Sequence, residues 1–267
     1  MRRIWPPAML LAVAIGLWEL VVRAAHVPDY LFPAPSAVAS SLGSDAGLLA
    51  RATLVTVREV ILGFLLAVVL ALALAVLLHF SAALRRALLP ILVLSQAVPT
   101  VVLAPVLAIL LGYGIAPKLV VVAIVCFFPI VVNAVGGLRS TDAELVRMMR
   151  TLHGSRLAIF RRVEFPGALP AIFSGARVAA TYAAVGAVFG EWAGSSSGLG
   201  FVMLQAQPAL ATARIFAAVF ILSAIAQRIR TAAKIRAVAS AGWAWSITKP
   251  SPDEEPAHSP NTAPTAA

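Results

Sequence analysis

Long apolar runs dominate this 267-residue chain and restrict what it can fold into. A helix needs about 20 consecutive apolar residues to cross the hydrocarbon core of a bilayer. Stretches near that length lie at residues 7–22, 58–78, 88–112, 117–137, 168–190 and 208–226. With 61% hydrophobic and only 12% charged residues, the chain cannot cover the surface of a water-soluble domain. We therefore predict an all-α integral membrane protein with about six transmembrane helices.

Lysine and arginine are concentrated in alternate segments between these runs and give the chain a net charge of +10. If the N-terminus is cytoplasmic, fifteen of these residues lie on the cytoplasmic side and five on the other. Basic residues accumulate in cytoplasmic loops, so both termini are predicted to be cytoplasmic. The basic segments lack the interleaved aromatic residues of a nucleic-acid groove, and we expect no nucleic-acid partner.

The third run contains a proline that interrupts its predicted helix. Pro99 removes a backbone hydrogen bond near the middle of residues 88–112. Gln96 and Thr100 lie beside it and can use the freed carbonyl groups. A kinked span is predicted here.

The fifth run carries small residues at helical spacing. They are Gly175, Ala179, Ala183 and Ala187, with Gly186 and Gly190 forming a second small pair. Small residues let membrane helices approach closely, so this helix is predicted to be central in the bundle. The last run reaches span length only if Arg214 snorkels to the outer interface.

Two flanking units complete the predicted organisation. Residues 1–50 hold the first span and an external segment, in which Ser36 is predicted to cap a short helix that stops at Gly43. The transmembrane unit covers residues 51–230. Residues 231–267 form a cytoplasmic tail that is partly disordered, because the segment from Lys249 has few apolar groups to offset the entropy of ordering.

Residues 141–165 form a basic segment between two runs that is patterned as two short helices. Thr141 and Glu144 have the spacing of a capping box. The first helix carries an apolar stripe formed by Leu145, Met148, Met149 and Leu152. Arg147 and Arg150 lie off that stripe. The pattern predicts a helical elbow on the cytoplasmic face.

The second helix of the elbow follows a break at Gly154. Ser155 is predicted to cap it, and Pro166 to end it before the fifth span. One side is formed by Leu157, Phe160 and Val163. On pattern alone, this elbow is equally well explained as an interfacial loop held to anionic lipid by its arginine and leucine residues.

The amino-acid sequence of the elbow resembles that of a known protein family. Residues 150–156 read RTLHGSR and residues 160–170 read FRRVEFPGALP, similar to the coupling-loop signature of bacterial ATP-binding-cassette import permeases. Residues 31–38, 53–64, 99–114 and 190–200 resemble the nitrate, sulfonate, taurine and pyrimidine-precursor branch of that family. The residues Arg147 to Arg150 and the block Gly190-Glu191-Trp192 look like the hydroxymethylpyrimidine (thiamine precursor) members.

This resemblance implies a type I ABC importer permease-like bundle in a bacterial inner membrane. It implies a homodimer, two ATPase subunits docked on the elbow, and an extracytoplasmic substrate-binding protein. The residues expected to couple to the ATPase are Leu145, Arg147, Met148, Met149, Arg150, Leu152, His153, Gly154 and Arg156. The family usually has glycine at the position of His153 and an acidic residue followed by two small ones at positions 147–149, so the chain departs from the pattern there.

Polar and ionisable residues within the runs are candidates for lining a transport pathway, because such groups are costly in lipid. The candidates are Gln96, Thr100, Asn133, Arg177, Tyr182 and Glu191. Arg177 fits bonding to neighbouring helices as well as it fits a pathway, and Glu191 also fits an interfacial anchor. Glu19, Arg58 and Glu59 are expected at interfaces or in helix pairs.

Catalytic chemistry is not expected. The histidines lack metal-ligand spacing and no phosphate-binding Gly-Lys-Ser/Thr loop is present, so we predict no catalytic, metal or cofactor site. The resemblance favours the permease of an ATP-driven importer for a small polar solute, either a pyrimidine thiamine precursor or a sulfonate- or nitrate-type anion. The alternatives are an ion-coupled secondary carrier, which should show repeated halves, and a degenerate copy that no longer transports.

Overall fold

The computed structural model describes residues 5–248 and, for side chains, residues 9–231. In this part the chain is helical, and no strand occurs in it. The helices are α1 (Trp5–Ala24), α2 (Pro35–Ser44), α3 (Ala46–Phe80), α4 (Ala82–Ser95), α5 (Thr100–Leu111), α6 (Ile115–Arg139), α7 (Ala143–Thr151), α8 (Arg156–Ile159), α9 (Phe165–Trp192), α10 (Leu199–Ala206) and α11 (Thr212–Thr248).

Four continuous helices of the described chain are long and apolar enough to cross a membrane. They are α3, α6, the joined run Arg156–Trp192 that contains α8 and α9, and the first part of α11, Thr212–Thr231. The pair α4 and α5 passes the same test only when taken together. The first predicted span lies within α1, which has 20 residues. The prediction of an all-α membrane bundle is confirmed.

The third run is broken rather than kinked. The axes of α4 and α5 differ by 100° across residues 96–99. The N–H groups of Gln96, Ala97 and Val98 bond back only three residues, which closes the end of α4. Pro99 then takes an extended conformation (ψ 113°) as the N-cap of α5. A proline without an N–H, placed directly after this tight turn, starts a new helix in a new direction.

The relative directions of α3 and α6 show where α4 and α5 carry the chain. Lys118 near the start of α6 bonds Glu59 of α3, and a side chain added at Gly63 would meet Val122, so α3 and α6 run parallel. Since parallel helices need a return connection, α4 and α5 together carry the chain back once to the end where α6 begins.

Helix α9 packs antiparallel against α6 at very short range. A Cβ atom added at Gly137 would lie 2.6 Å from the Cβ of Ala171, and one added at Gly175 would lie 2.7 Å from the carbonyl oxygen of Pro129. At the other end of the seam, a Cβ atom added at Gly190 would lie 3.0 Å from the Cα of Lys118. The small-residue face of α9 is buried, which confirms its predicted central position.

Helix α11 is held at its start by a charge pair. Arg214 Nε and Nη2 donate to the two carboxylate oxygens of Asp45 at 2.8 and 3.0 Å. This hydrogen bond from Arg214 holds the pKa of Asp45 below its usual range. Arg214 at the start of α11 therefore pairs with Asp45, which directly precedes α3. The helix continues to Thr248, past the predicted start of the tail, and the predicted disorder from Lys249 lies outside the described residues.

The segment that follows the first span is organised by Glu19 rather than by a Ser36 cap. Helix α2 begins at Pro35 with Ala34 as N-cap, so Ser36 lies inside the first turn. Its backbone N–H and hydroxyl donate to the Glu19 carboxylate at 3.0 and 2.7 Å. A carboxylate from α1 therefore supplies the acceptor that Ser36 was predicted to provide.

Candidate functional site

A cavity of about 900 Å³ opens where the α4–α5 break meets α3, α6 and α9. Four of the six predicted pathway residues line it: Gln96, Thr100, Asn133 and Tyr182. They come from both sides of the break, from the second half of α6 and from α9. The break in the third run is what brings Gln96 and Thr100 to the same opening as Asn133.

The cavity is lined by apolar side chains with a few neutral polar groups, and none of the described lining residues is charged. Asn133 Nδ2 donates to the carbonyl of Pro129 at 2.8 Å, which orients the amide. Sequence reasoning missed Ser95, Phe127 and Phe128, which also line the cavity. A Phe-Phe-Pro motif in the middle of a span was the available signal for the two rings.

Arg177 lies outside this cavity. It lines a separate space of about 580 Å³ between α9 and α11, together with Val178, Thr181, Arg230 and Thr231. Two arginines and two threonines therefore converge there. The sequence did not associate Arg230 with Arg177, because the two helices are far apart along the chain.

Glu191 is also absent from the lining of the main cavity. Its side chain is fully buried where α9 meets α3 and the segment leading to α10. Its carboxylate accepts a hydrogen bond from Thr56 Oγ1 at 2.6 Å and another from the backbone N–H of Gly200. Glu59 and Lys118 lie beside it, and sequence reasoning had not singled out Lys118.

The elbow begins at a cap one residue later than predicted. Asp142, not Thr141, is the N-cap of α7, and its carboxylate accepts the N–H of Glu144 at 2.8 Å. The predicted capping box is therefore wrong. The Thr141 hydroxyl instead points back to the carbonyl of Leu138, because the preceding span ends just before it.

Helix α7 ends in a Schellman motif that contains His153. The N–H of Gly154 bonds the carbonyl of Met149 at 2.9 Å, and the N–H of His153 bonds that of Arg150 at 3.0 Å. His153 has φ 57°, the left-handed conformation that glycine adopts most easily. The turn at position 153 therefore has the conformation that glycine favours, and His153 adopts it here.

The second part of the elbow is continuous with the fifth span. Ser155 caps α8 by accepting the N–H of Ala158 at 3.2 Å, as predicted. A π-helical turn, Phe160–Glu164, then joins α8 to α9, and Pro166 occupies the first turn of α9. Pro166 does not end the helix, because the wider turn requires no N–H at that position.

The apolar stripe of α7 faces away from the bundle. The side chains of Leu145, Met148 and Leu152 are 36%, 53% and 69% exposed, while Met149 is half-buried. On the other side of α7, Arg147 and Arg150 line a polar groove that also contains His79 and Glu164.

Contacts to the end of α3 hold the elbow in place. Arg156 Nη2 donates to the carbonyl of Phe80 at 3.1 Å, and its guanidinium lies 5.1 Å from the centroid of that ring. His79 Nε2 lies 2.8 Å from Glu164 Oε2. The elbow is therefore attached to α3 as well as to α9.

Comparisons with known proteins agree with this geometry. Residues 36–231 match the family described as "Binding-protein-dependent transport system inner membrane component". A "Probable ABC transporter permease protein" of Haemophilus influenzae is 40% identical over 84% of this chain and 91% of its own. The "Formylaminopyrimidine transport permease protein ThiX" of Halalkalibacterium halodurans is 32% identical over 81% of this chain and 87% of its own.

A solved structure of the MetNI methionine ABC transporter in an inward-facing conformation matches with a TM-score of 0.65 at 19% identity, covering 74% of this chain and 98% of that one. This likeness shows a shared fold. The chain therefore belongs to the binding-protein-dependent inner-membrane component family and is the non-catalytic permease subunit of an ATP-binding-cassette importer for small solutes, working with separate ATPase subunits and a substrate-binding protein.

Proposed function

We propose that the 900 Å³ cavity is the solute site of the importer and that it takes a small, uncharged heteroaromatic solute such as an aminopyrimidine. The lining carries this proposal. Aromatic rings of Phe127, Phe128 and Tyr182 lie among neutral hydrogen-bonding groups, and the described lining residues include no charge.

Neutral amides and hydroxyls suit a pyrimidine ring better than an anion. Gln96 and Asn133 can each donate and accept a hydrogen bond, which matches the ring nitrogens and amino group of an aminopyrimidine. An anion that leaves water for a cavity without a cation loses far more free energy than a neutral ring does. The volume lies within the range of ordinary ligand pockets.

Two relatives support a flat nitrogen heterocycle. The ThiX protein is named for formylaminopyrimidine transport. The "Riboflavin transport system permease protein RibX" of Chloroflexus aurantiacus is 35% identical over 83% of this chain. Both names refer to ring systems that combine aromatic faces with hydrogen-bonding edges.

Substitution of the cavity amides tests the assignment. Gln96→Leu and Asn133→Leu are each expected to lower uptake of a labelled aminopyrimidine about tenfold, since each removes a hydrogen bond worth about 1.4 kcal/mol. Basal ATPase activity of the assembled transporter should remain. Thr181→Val, outside this cavity, is the control. Unchanged uptake in both leucine variants would refute a solute site here.

A sulfonate- or nitrate-type anion is the second candidate, favoured by the convergence of Arg177 and Arg230 on one cavity. Arginine is well suited to binding planar or tetrahedral anions. Under this alternative, Arg177→Leu abolishes uptake of the anion while the variant still inserts and binds its ATPase. Normal anion uptake by that variant would show that the anion does not need Arg177 and would rule out this cavity as its site.

We further propose that the elbow docks on the ATPase, with two ATPase subunits serving a dimer of this chain. Three large apolar side chains of α7 are exposed beyond the membrane-spanning helices, and an apolar stripe in water is stabilised by a partner that covers it. The arginines on the other side of α7 belong to the same proposed docking region. An extracytoplasmic substrate-binding protein is the remaining protein partner, and lipid surrounds the spans.

Two aspartates in the stripe test the docking. Met148→Asp combined with Leu152→Asp should abolish co-purification of the ATPase and uptake, because burying two carboxylates costs several kcal/mol. Ala143→Asp adds a charge to the exposed opposite side of α7 and is expected to retain both. Wild-type ATPase stoichiometry in the double variant would make the elbow an interfacial loop.

In the wild-type complex, ATPase stimulation by loaded binding protein is expected, which a degenerate copy would not show.

A further inference from the structure

Three ionisable side chains meet inside the bundle at the end remote from the elbow. Glu59 of α3, Lys118 of α6 and Glu191 of α9 are 2%, 8% and 0% exposed. Each comes from a different helix, and none lines the solute cavity. Charged groups buried to this extent are costly unless they are paired and hydrogen-bonded.

Nearly every polar atom of this cluster has a partner. Lys118 Nζ donates to Glu59 Oε1 at 2.7 Å and lies 2.6 Å from Ser195 Oγ. The two oxygens of Glu191 accept hydrogen bonds from Thr56 and Gly200. The exception is Glu59 Oε2, which is buried without a hydrogen-bond donor in the described part of the chain.

Thr56, which bonds Glu191, lies one helical turn before Glu59 on α3. A Cβ atom added at Gly190, next to Glu191, would lie 3.0 Å from the Cα of Lys118, which bonds Glu59. The Glu59 and Glu191 carboxyl groups are therefore brought together at one buried site. If both were ionised, the cluster would carry two negative charges and the single positive charge of Lys118. Arg58 is exposed, and it forms no salt bridge to either carboxyl within the described residues. Two carboxylates in contact at a buried site repel each other strongly, and one retained proton removes that repulsion.

We propose that the Glu59–Glu191 pair is a proton-binding site that holds one proton shared between the two carboxyl groups. The proton makes the cluster neutral, with one carboxylate balanced by Lys118. It also supplies the missing donor between the two carboxyl groups, where Glu59 Oε2 otherwise has none. A single proton thus accounts for both the charge and the unsatisfied atom.

Hydrogen bonds around the pair tie the segment between α9 and α10 to the bundle. Ser195 bonds Lys118, the N–H of Leu199 bonds Thr56 Oγ1 at 2.9 Å, and the N–H of Gly200 bonds Glu191. Gly198, at φ 112°, approaches so closely that any Cβ atom there would overlap the Glu191 carboxyl. Loss of the proton leaves a net negative charge beneath this segment.

Infrared spectroscopy of the assembled transporter in lipid nanodiscs tests the proposal. At about pH 7, exposed carboxyl groups are ionised, so a protonated-carboxyl carbonyl band reports a buried acid. Wild type is expected to show this band, Glu59→Gln and Glu191→Gln to lack it, and the exposed control Glu144→Gln to keep it. No band in wild type, or a band retained by either variant of the pair, would overturn the proposal.

Thermal unfolding across pH gives an independent measurement. As pH rises from about 6 to about 9, the wild-type midpoint should fall, because release of the shared proton leaves a buried charge. Glu191→Gln supplies a permanent amide donor to Glu59, so its unfolding midpoint should fall less over the same pH range. Lys118 is present in both proteins and does not account for the difference. Parallel pH curves for the two proteins would contradict a shared proton.

Discussion

At the scale of single residues, His153 shows how one backbone angle sets the shape of the elbow. The residue closes the Schellman motif of α7 in a left-handed conformation that costs a non-glycine residue about 1 kcal/mol. The two hydrogen bonds of the motif offset that cost. The departure from the family glycine therefore changes the energy of the turn, while its geometry is kept.

His153→Gly is accordingly expected to stabilise the end of α7. Relief of up to about 1 kcal/mol should slow hydrogen exchange of the α7 amides about fivefold. His153→Ala, which removes the imidazole but keeps the strain, is the matched control and should leave exchange nearly unchanged. Gly154→Ala should accelerate it, because the new Cβ atom would lie 2.7 Å from the Met149 carbonyl oxygen. Equal effects of the glycine and alanine variants at position 153 would contradict this account of the turn.

At the scale of the helices, the seam between α6 and α9 is the central packing contact of the bundle. Glycines on both helices bring the backbones together, with Gly137 against Ala171 and Gly175 against Pro129. In lipid, where burial of apolar surface drives little association, such close packing supplies much of the attraction between helices. The seam therefore fixes the relative positions of Asn133 and Tyr182, which both line the cavity.

Neighbouring glycines on α6 provide a matched test of this seam. Gly137→Ala should destabilise the permease by about 1–3 kcal/mol, since its Cβ atom would lie 2.6 Å from that of Ala171. Gly136→Ala adds the same methyl group where nothing lies within 4 Å and should be neutral or stabilising. Thermal midpoints of the two purified variants are to be compared, and equal values would show that the close approach is unimportant.

At the scale of the whole molecule, the two ends of the bundle carry different structures. The elbow, with its exposed apolar stripe and arginines, lies at the end where α3 and α6 finish. The Glu59, Lys118 and Glu191 cluster lies at the opposite end, beside the segment that leads to α10. Helix α9 extends from one of these ends to the other.

Accessibility labelling of these two ends tests the proposed orientation. Ser155→Cys at the elbow should be unreactive towards an impermeant thiol reagent in intact cells and reactive in inverted vesicles, because the basic segments are expected in the cytoplasm. Ser196→Cys, exposed in the segment between α9 and α10, should show the opposite pattern. Cys126 is buried and contributes little background. Strong labelling of the elbow cysteine in intact cells would reverse the orientation.

The sequence determined the membrane-spanning helices, the small-residue face of α9 and the existence of the elbow. Each of these depends on local periodicity, since lipid requires every span to satisfy its own backbone hydrogen bonds. Six pathway candidates could be named for the same reason, because polar groups inside an apolar run are conspicuous.

Only the tertiary structure decided which of those residues share a site. Gln96, Thr100, Asn133 and Tyr182 meet in one cavity because the chain breaks by 100° before α5, whereas a proline in the sequence is equally compatible with a mild kink. Glu191 lies instead with Glu59 and Lys118, which are 132 and 73 residues away from it along the chain. Side chains so distant along the chain are brought together by helix direction and close packing, and local pattern carries information about neither.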